Sequence, residues 1–120
     1  MKVYAITIKR LGSKLPTKDN YEAIFIAWYM VHRVHVPFRV YEHDSRGKLH
    51  MHGILECPKN FYMKHLIAKG FNLHLRELKT KRDREAWESY CLKDQDAQGA
   101  IDDGSTQLIA GLKHPLWRIN

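Results

Sequence analysis

From Val3 to Lys9 apolar residues fill both sides of an extended segment, Val3, Ala5 and Thr7 on one and Tyr4, Ile6 and Ile8 on the other. This predicts a mostly buried first strand. Gly12, Ser13 and Pro16 end it, and in Asp19-Asn20-Tyr21-Glu22 the first residue is suited to cap a helix that the fourth reaches back to. That helix is expected to run to about Arg33. Its apolar positions Ile24, Ala27, Trp28, Val31 and Val34 recur at helical spacing, and the extra aromatics predict burial on more than one side. Val36 to His43 and Lys48 to Cys57 are extended runs around the turn residues Asp44-Ser45-Arg46-Gly47, and so read as a hairpin. Asn60 can cap a short helix from Phe61 to Lys69, stopped by Gly70 in the left-handed conformation. Phe71 to Leu78 alternates as a half-buried strand, and Thr80 or Asp83 opens a last helix through Trp87, Tyr90 and Lys93.

The order strand, helix, strand, strand, helix, strand, helix predicts a single α+β domain over residues 1–120. Its centre is an antiparallel sheet of four to five strands with packed helices, of the ferredoxin-like kind. Asp94 to Thr106 reads as a polar, solvated linker, and Leu108 to Ile119 as an apolar tail that must dock, in cis or in a homodimer contact. No internal repeat is present.

Charge changes this picture more than composition does. The net charge is +7, and 18 of the 20 basic residues precede Asp94, against 9 of the 13 acidic ones. The excess basic charge of that part points to a polyanionic partner. The longest apolar run, Ala23 to Val31, falls short of the roughly 20 residues of a membrane span, and no signal-peptide pattern opens the chain. An intracellular protein without membrane contact is therefore expected. Cys57 and Cys91 lack the spacing of a zinc site or a disulfide framework and read as buried thiols.

In Leu49-His50-Met51-His52-Gly53 the strand period of two turns both imidazoles to one face. A three-residue loop, Ser45-Arg46-Gly47 with Gly47 left-handed, sets Glu42 opposite His50 and Val40 opposite His52. Opposed Cβ atoms lie about 5 Å apart, so Glu42, His50 and His52 form a carboxylate and two-imidazole set. An isolated His-x-His is an ordinary polar face; the carboxylate in register makes it a candidate divalent-metal site. Mixed oxygen and nitrogen donors suit Mn²⁺ or Mg²⁺, and would accept Zn²⁺ or Co²⁺. On the last helix Lys93 and Asp94 follow Tyr90 by three and four residues, on one side. A phenol beside an ammonium can act as a nucleophile, whereas Trp87, Tyr90 and Cys91 could also be a plain core stripe.

A His-hydrophobe-His strand followed by a Tyr-x-x-Lys helix resembles the HUH endonucleases, specifically the nicking domains of rolling-circle replication initiators (Rep proteins). His50-Met51-His52 matches the metal motif, Glu42 stands eight residues earlier where related domains place a carboxylate ligand, and Tyr90-x-x-Lys93 matches the nucleophile motif. Tyr4-Ala5-Ile6-Thr7 fits the family's early strand motif loosely. The resemblance implies an HUH fold in which Glu42, His50 and His52 hold the metal. Tyr90 then attacks a phosphodiester of single-stranded DNA, leaving a 5′-phosphotyrosine and a free 3′-hydroxyl, and Lys93 compensates charge. It places Asp94 as a further metal contact or a helix-end residue. The implied partners are single-stranded DNA, a replication-origin hairpin, and a separate helicase or host replication proteins, since no phosphate-binding Gly-rich loop is present. The implied source is viral or plasmid.

Lys9, Arg10, Arg46, Lys48 and Arg76 are candidate DNA contacts within the basic surface. Three rival readings stand beside this one: a single-strand DNA transposase of the same superfamily, a non-catalytic ferredoxin-like nucleic-acid-binding domain, and a metal-dependent phosphoesterase that uses water in place of Tyr90.

Overall fold

The computed structural model describes residues 1–92 and the backbone of 100–102. Five strands, β1 (Lys2–Arg10), β2 (His35–His43), β3 (Leu49–Cys57), β4 (Phe71–Glu77) and β5 (Ala100–Asp102), form one sheet in the order β4-β1-β3-β2-β5. Every neighbouring pair is antiparallel. The fold is α+β, and the order β4-β1-β3-β2 is that of a ferredoxin-like split β-α-β, with β3 inserted between β1 and β2. β5 falls in the segment expected to be linker and extends the sheet beyond β2; the apolar tail from Leu108, Lys93 and Asp94 lie outside the described residues.

Helix α1 (Lys18–His32) begins two residues earlier than a cap at Asp19 implied. Thr17 is its cap, with Thr17 Oγ1 accepting from the Asn20 N–H and Asn20 Oδ1 from the Thr17 N–H. The helix buries one side only. Tyr21, Phe25 and Trp28 enter the core, whereas Ile26, Met30 and Val31 are exposed, Val31 by 72%. The three rings bury more area than the aliphatic set could, and Tyr21 also donates a 2.6 Å hydrogen bond to the Leu49 carbonyl. Against them pack Ile6, Ile8, Tyr41, Met51 and Leu55 from one face of the sheet.

The expected helix from Phe61 to Lys69 is a single 3-10 turn, Met63–His65. The chain just past this turn is tied to α1, the Ile67 carbonyl accepting from the Trp28 indole N–H at 3.0 Å. Gly70 does take the left-handed conformation, with φ +84°. Helix α2 (Lys81–Leu92) starts after Thr80, whose Oγ1 accepts from the Asp83 N–H at 3.0 Å. It packs on the other face of the sheet, where Cys91, Trp87 and Leu92 meet Ala5, Phe38, Val40 and Ile54. The sheet is therefore covered by α1 on one face and by α2 over part of the other.

Among the described residues, no helix is long and apolar enough to cross a membrane.

Candidate functional site

The hairpin register agrees with the three-residue loop. Asp44 N–H donates to the Lys48 carbonyl at 2.9 Å, Gly47 has φ +80°, and Asp44 Oδ1 accepts from the backbone N–H of both Arg46 and Lys48. Glu42 consequently pairs with His50, and Val40 with His52. Across the sheet the pairings line up rows on the α2 face. Asn72, Lys9, His50 and Glu42 form one row; His74, Thr7, His52 and Val40 form the next; Arg76, Ala5, Ile54 and Phe38 form the third. In the last of these Ala5, Ile54 and Phe38 lie in the apolar cluster under α2. The other two, Val40 apart, carry polar side chains.

Side chains within the rows choose diagonal partners. Glu42 Oε1 stands 2.7 Å from His52 Nε2, and His50 Nε2 stands 3.2 Å from Asp44 Oδ2. The twist of the sheet brings one diagonal closer than the other, so a side chain reaches the residue two further along the opposite strand. The other nitrogen of His52, Nδ1, meets Thr7 Oγ1 at 3.0 Å. Burial pushes the His52 imidazole below its usual value, against the opposing pull of Glu42. Hydrogen bonds from the Lys48 and Arg46 backbone, with His50 beside it, hold the Asp44 carboxyl below the ordinary range.

Tyr90 is not part of the core stripe: Cys91 is buried beneath α2 while Tyr90 is 52% exposed. Its ring stacks on Trp87 at 5.4 Å and 19°, and Trp87 meets the His52 ring edgewise at 6.2 Å. Trp87 Nε1 donates to the Gly53 carbonyl at 2.7 Å, anchoring the helix to β3 immediately after His52. The Cys91 thiol is raised first by burial and then by the charge of Glu42. Tyr90, Glu42 and His52 thus share one side of the sheet.

The donor identities fit a divalent ion, and Thr7 on His52 Nδ1 is the kind of outer contact that orients a ligating imidazole. The side chains nevertheless stand as two acid–imidazole pairs. No group of three His, Cys, Asp or Glu side chains converges closely enough to hold an ion among the described residues, and His50 would have to leave Asp44 to join Glu42 and His52.

Of the expected DNA contacts, Lys9 and Arg76 lie in the rows just described, Arg76 with its guanidinium 5.8 Å from the Trp87 ring centre. Lys48 donates from Nζ to the Gly12 carbonyl at 2.6 Å, and Arg46 is exposed at the hairpin tip. Arg10 turns to the opposite face and packs on Phe71. Asp44 went unrecognised as a site residue because its turn chemistry explained it; its position two residues after Glu42, in strand phase, was the available signal. Nothing in the spacing announced Trp87 as the link between Tyr90 and His52.

Neither a protein-family model nor a curated protein sequence matches this chain. Its fold is similar to the crystal structure of the hypothetical protein ORF119 from Sulfolobus islandicus rod-shaped virus 1, with TM-score 0.58 and 20% identity over 78% of this chain and 82% of that one.

Proposed function

We propose that the chain is a metal-dependent, site-specific single-stranded DNA endonuclease that nicks and rejoins DNA through a 5′-phosphotyrosine, as in the initiation of rolling-circle replication. One observation carries the reading: the ring sequence His52, Trp87, Tyr90, which joins the candidate ligands to the candidate nucleophile on one face. Glu42, His50 and His52 would hold Mn²⁺ or Mg²⁺, which when bound supplies Lewis-acid polarisation of the scissile phosphate. Thr7 keeps the His52 ring turned toward Glu42. Tyr90, positioned by its stack on Trp87, gives up its phenolic proton to solvent and attacks phosphorus. The P–O3′ bond breaks, the 3′-oxygen takes a proton from water, and the 5′-phosphate stays on Tyr90. The ammonium of Lys93, three residues on in the sequence, would compensate the charge. Lys9, Arg46, Lys48 and Arg76 lie along the approach of the strand, and an origin hairpin and a separate helicase complete the partners.

The self-paired Glu42–His52 and Asp44–His50 favour a second reading, a non-catalytic domain that binds single strands on the same face. One experiment separates the two. The chain is incubated with Mn²⁺ and single-stranded origin DNA and examined for a denaturation-resistant protein–DNA adduct. An adduct that disappears on chelation, in His52→Ala and in Tyr90→Phe is expected. Binding without an adduct supports the second reading, cleavage without one a hydrolytic phosphoesterase, and an adduct that persists in Tyr90→Phe refutes the nucleophile.

A further inference from the structure

A second basic concavity lies around the end of β1, on the face opposite His50 and His52. It is a cavity of about 320 Å³ lined by Arg10, Lys14, Leu15, Pro16, Asn20 and Phe71 among others, and its described lining holds no carboxylate. Arg10 is held there on two sides. Its guanidinium carbon lies 5.0 Å from the centre of the Phe71 ring. It also lies against Gly70, where a Cβ would come within 3.3 Å of the same carbon. Gly70 stands at φ +84°, and its carbonyl accepts from the Leu11 N–H at 2.8 Å, so the turn that clamps Arg10 is itself tied to the end of β1. Arg10 Nε is buried and has no hydrogen-bond partner among the described residues. None of the side chains lining the cavity offers an anion to the rest of the guanidinium.

The cavity and the candidate site are joined by the chain itself. Strand alternation sends Lys9 into the row of His50 and the next residue, Arg10, into the cavity. The loop between Arg10 and Lys14 is fastened to the hairpin through the hydrogen bond from Lys48 Nζ to the Gly12 carbonyl. An extended polyanion crossing the end of the sheet would meet Lys9 and then Arg10. A fixed guanidinium with Lys14 beside it suits a phosphate, whose oxygens accept the planar N–H set of arginine. We propose that this cavity binds one backbone phosphate of the single strand whose reacting bond lies on the His50 and His52 face, a proposal that rests on the nucleic-acid reading above.

The test follows the Arg10 Nε–Hε resonance of the full chain by NMR, with a single-stranded oligonucleotide of about 12 nucleotides and, separately, with inorganic phosphate at equal concentration. A saturable shift with the oligonucleotide and little with phosphate is expected. In parallel, the slope of log affinity against log KCl is expected to shrink by about 0.7 in Arg10→Gln, the share of one single-strand phosphate. Lys14→Ala, an exposed position outside the core, is expected to shift it in the same sense. If the oligonucleotide moves Lys9 and His52 but not Arg10, and Lys14→Ala leaves the slope unchanged, the cavity proposal is overturned while the reading of the other face stands. A shift with phosphate alone overturns it in favour of a free-anion site. Failure of the oligonucleotide to bind at all removes both.

Discussion

Gly53 leaves no room for a side chain between β3 and β2, and replacing it with alanine tests the register that carries the site. An ideal Cβ there would lie 2.3 Å from the Phe38 carbonyl oxygen, 3.1 Å from Arg39 Cα and 3.2 Å from Met51 Sδ. The methionine can move aside, but the other two atoms are backbone of the paired strand, just past the register irregularity between His35 and Phe38. Even short C–H···O contacts between strands sit near ~3.3 Å, so β2 and β3 must part by about 1 Å. Alanine would ordinarily stabilise a strand interior relative to glycine, by ~0.5–1 kcal/mol. Overpacking against backbone costs up to ~3 kcal/mol, which leaves a net loss of about 2 kcal/mol. With a urea m-value of about 2 kcal/mol/M, the unfolding midpoint of Gly53→Ala should fall by about 1 M. The hydrogen bond from Trp87 Nε1 to the Gly53 carbonyl would be displaced with it. A midpoint within about 0.2 M of wild type would refute the close approach, and with it the placement of His52 and Trp87 against β2.

Three further outcomes follow from particular contacts. Burial tends to raise the Glu22 carboxyl, yet hydrogen bonds from Arg39 at 2.7 and 2.6 Å and from Tyr41 outweigh it and hold the group below 4.5. A depressed carboxylate stabilises the fold above its unfolded value. The excess unfolding free energy of wild type over Glu22→Gln should therefore persist above about pH 4.5 and vanish as pH falls through the lower folded value, as read in urea titrations across pH. Thr17→Ala removes the hydroxyl that accepts from the Asn20 N–H while leaving the reciprocal bond from its own backbone N–H to Asn20 Oδ1, and should lower stability by about 1 kcal/mol in thermal melts, whereas Thr17→Asp should retain most of it. Thr7→Val keeps the strand but frees His52 Nδ1, and calorimetry with Mn²⁺ should show affinity weakened roughly 10-fold or more; unchanged affinity would separate Thr7 from the site.

The hairpin was legible residue by residue because its loop is short and Gly47 admits one conformation, which then fixes every pairing up to Val40 opposite His52. Strand alternation likewise turns Met51 and Leu55 away from the imidazoles, into one core. Side-chain reach was not legible: register sets Glu42 opposite His50, yet twist delivers its carboxylate to His52. The burial of α1 was misjudged because aliphatic spacing and aromatic spacing, offset by a quarter turn or so, both satisfy a helical period, and only packing volume decides for Tyr21, Phe25 and Trp28. Local signals for a helix at Phe61 yield only the 3-10 turn Met63–His65, because capping and stop residues carry no information about the tertiary packing of the segment between them. The edge strand Ala100–Asp102 has no alternation long enough to detect, since its partner β2 supplies the reason for it.

β1 and β3 each serve two masters on alternate residues, Ile6, Ile8, Met51 and Leu55 for the dry core and Thr7, His50 and His52 for the open face. Such strands tolerate replacement one position at a time but not a change of length. A single inserted or deleted residue in β3 would exchange the two sets together, sending imidazoles inward and methionine out. Sequence drift in this protein should therefore accumulate as substitutions within these strands and as gaps only in the connections around them.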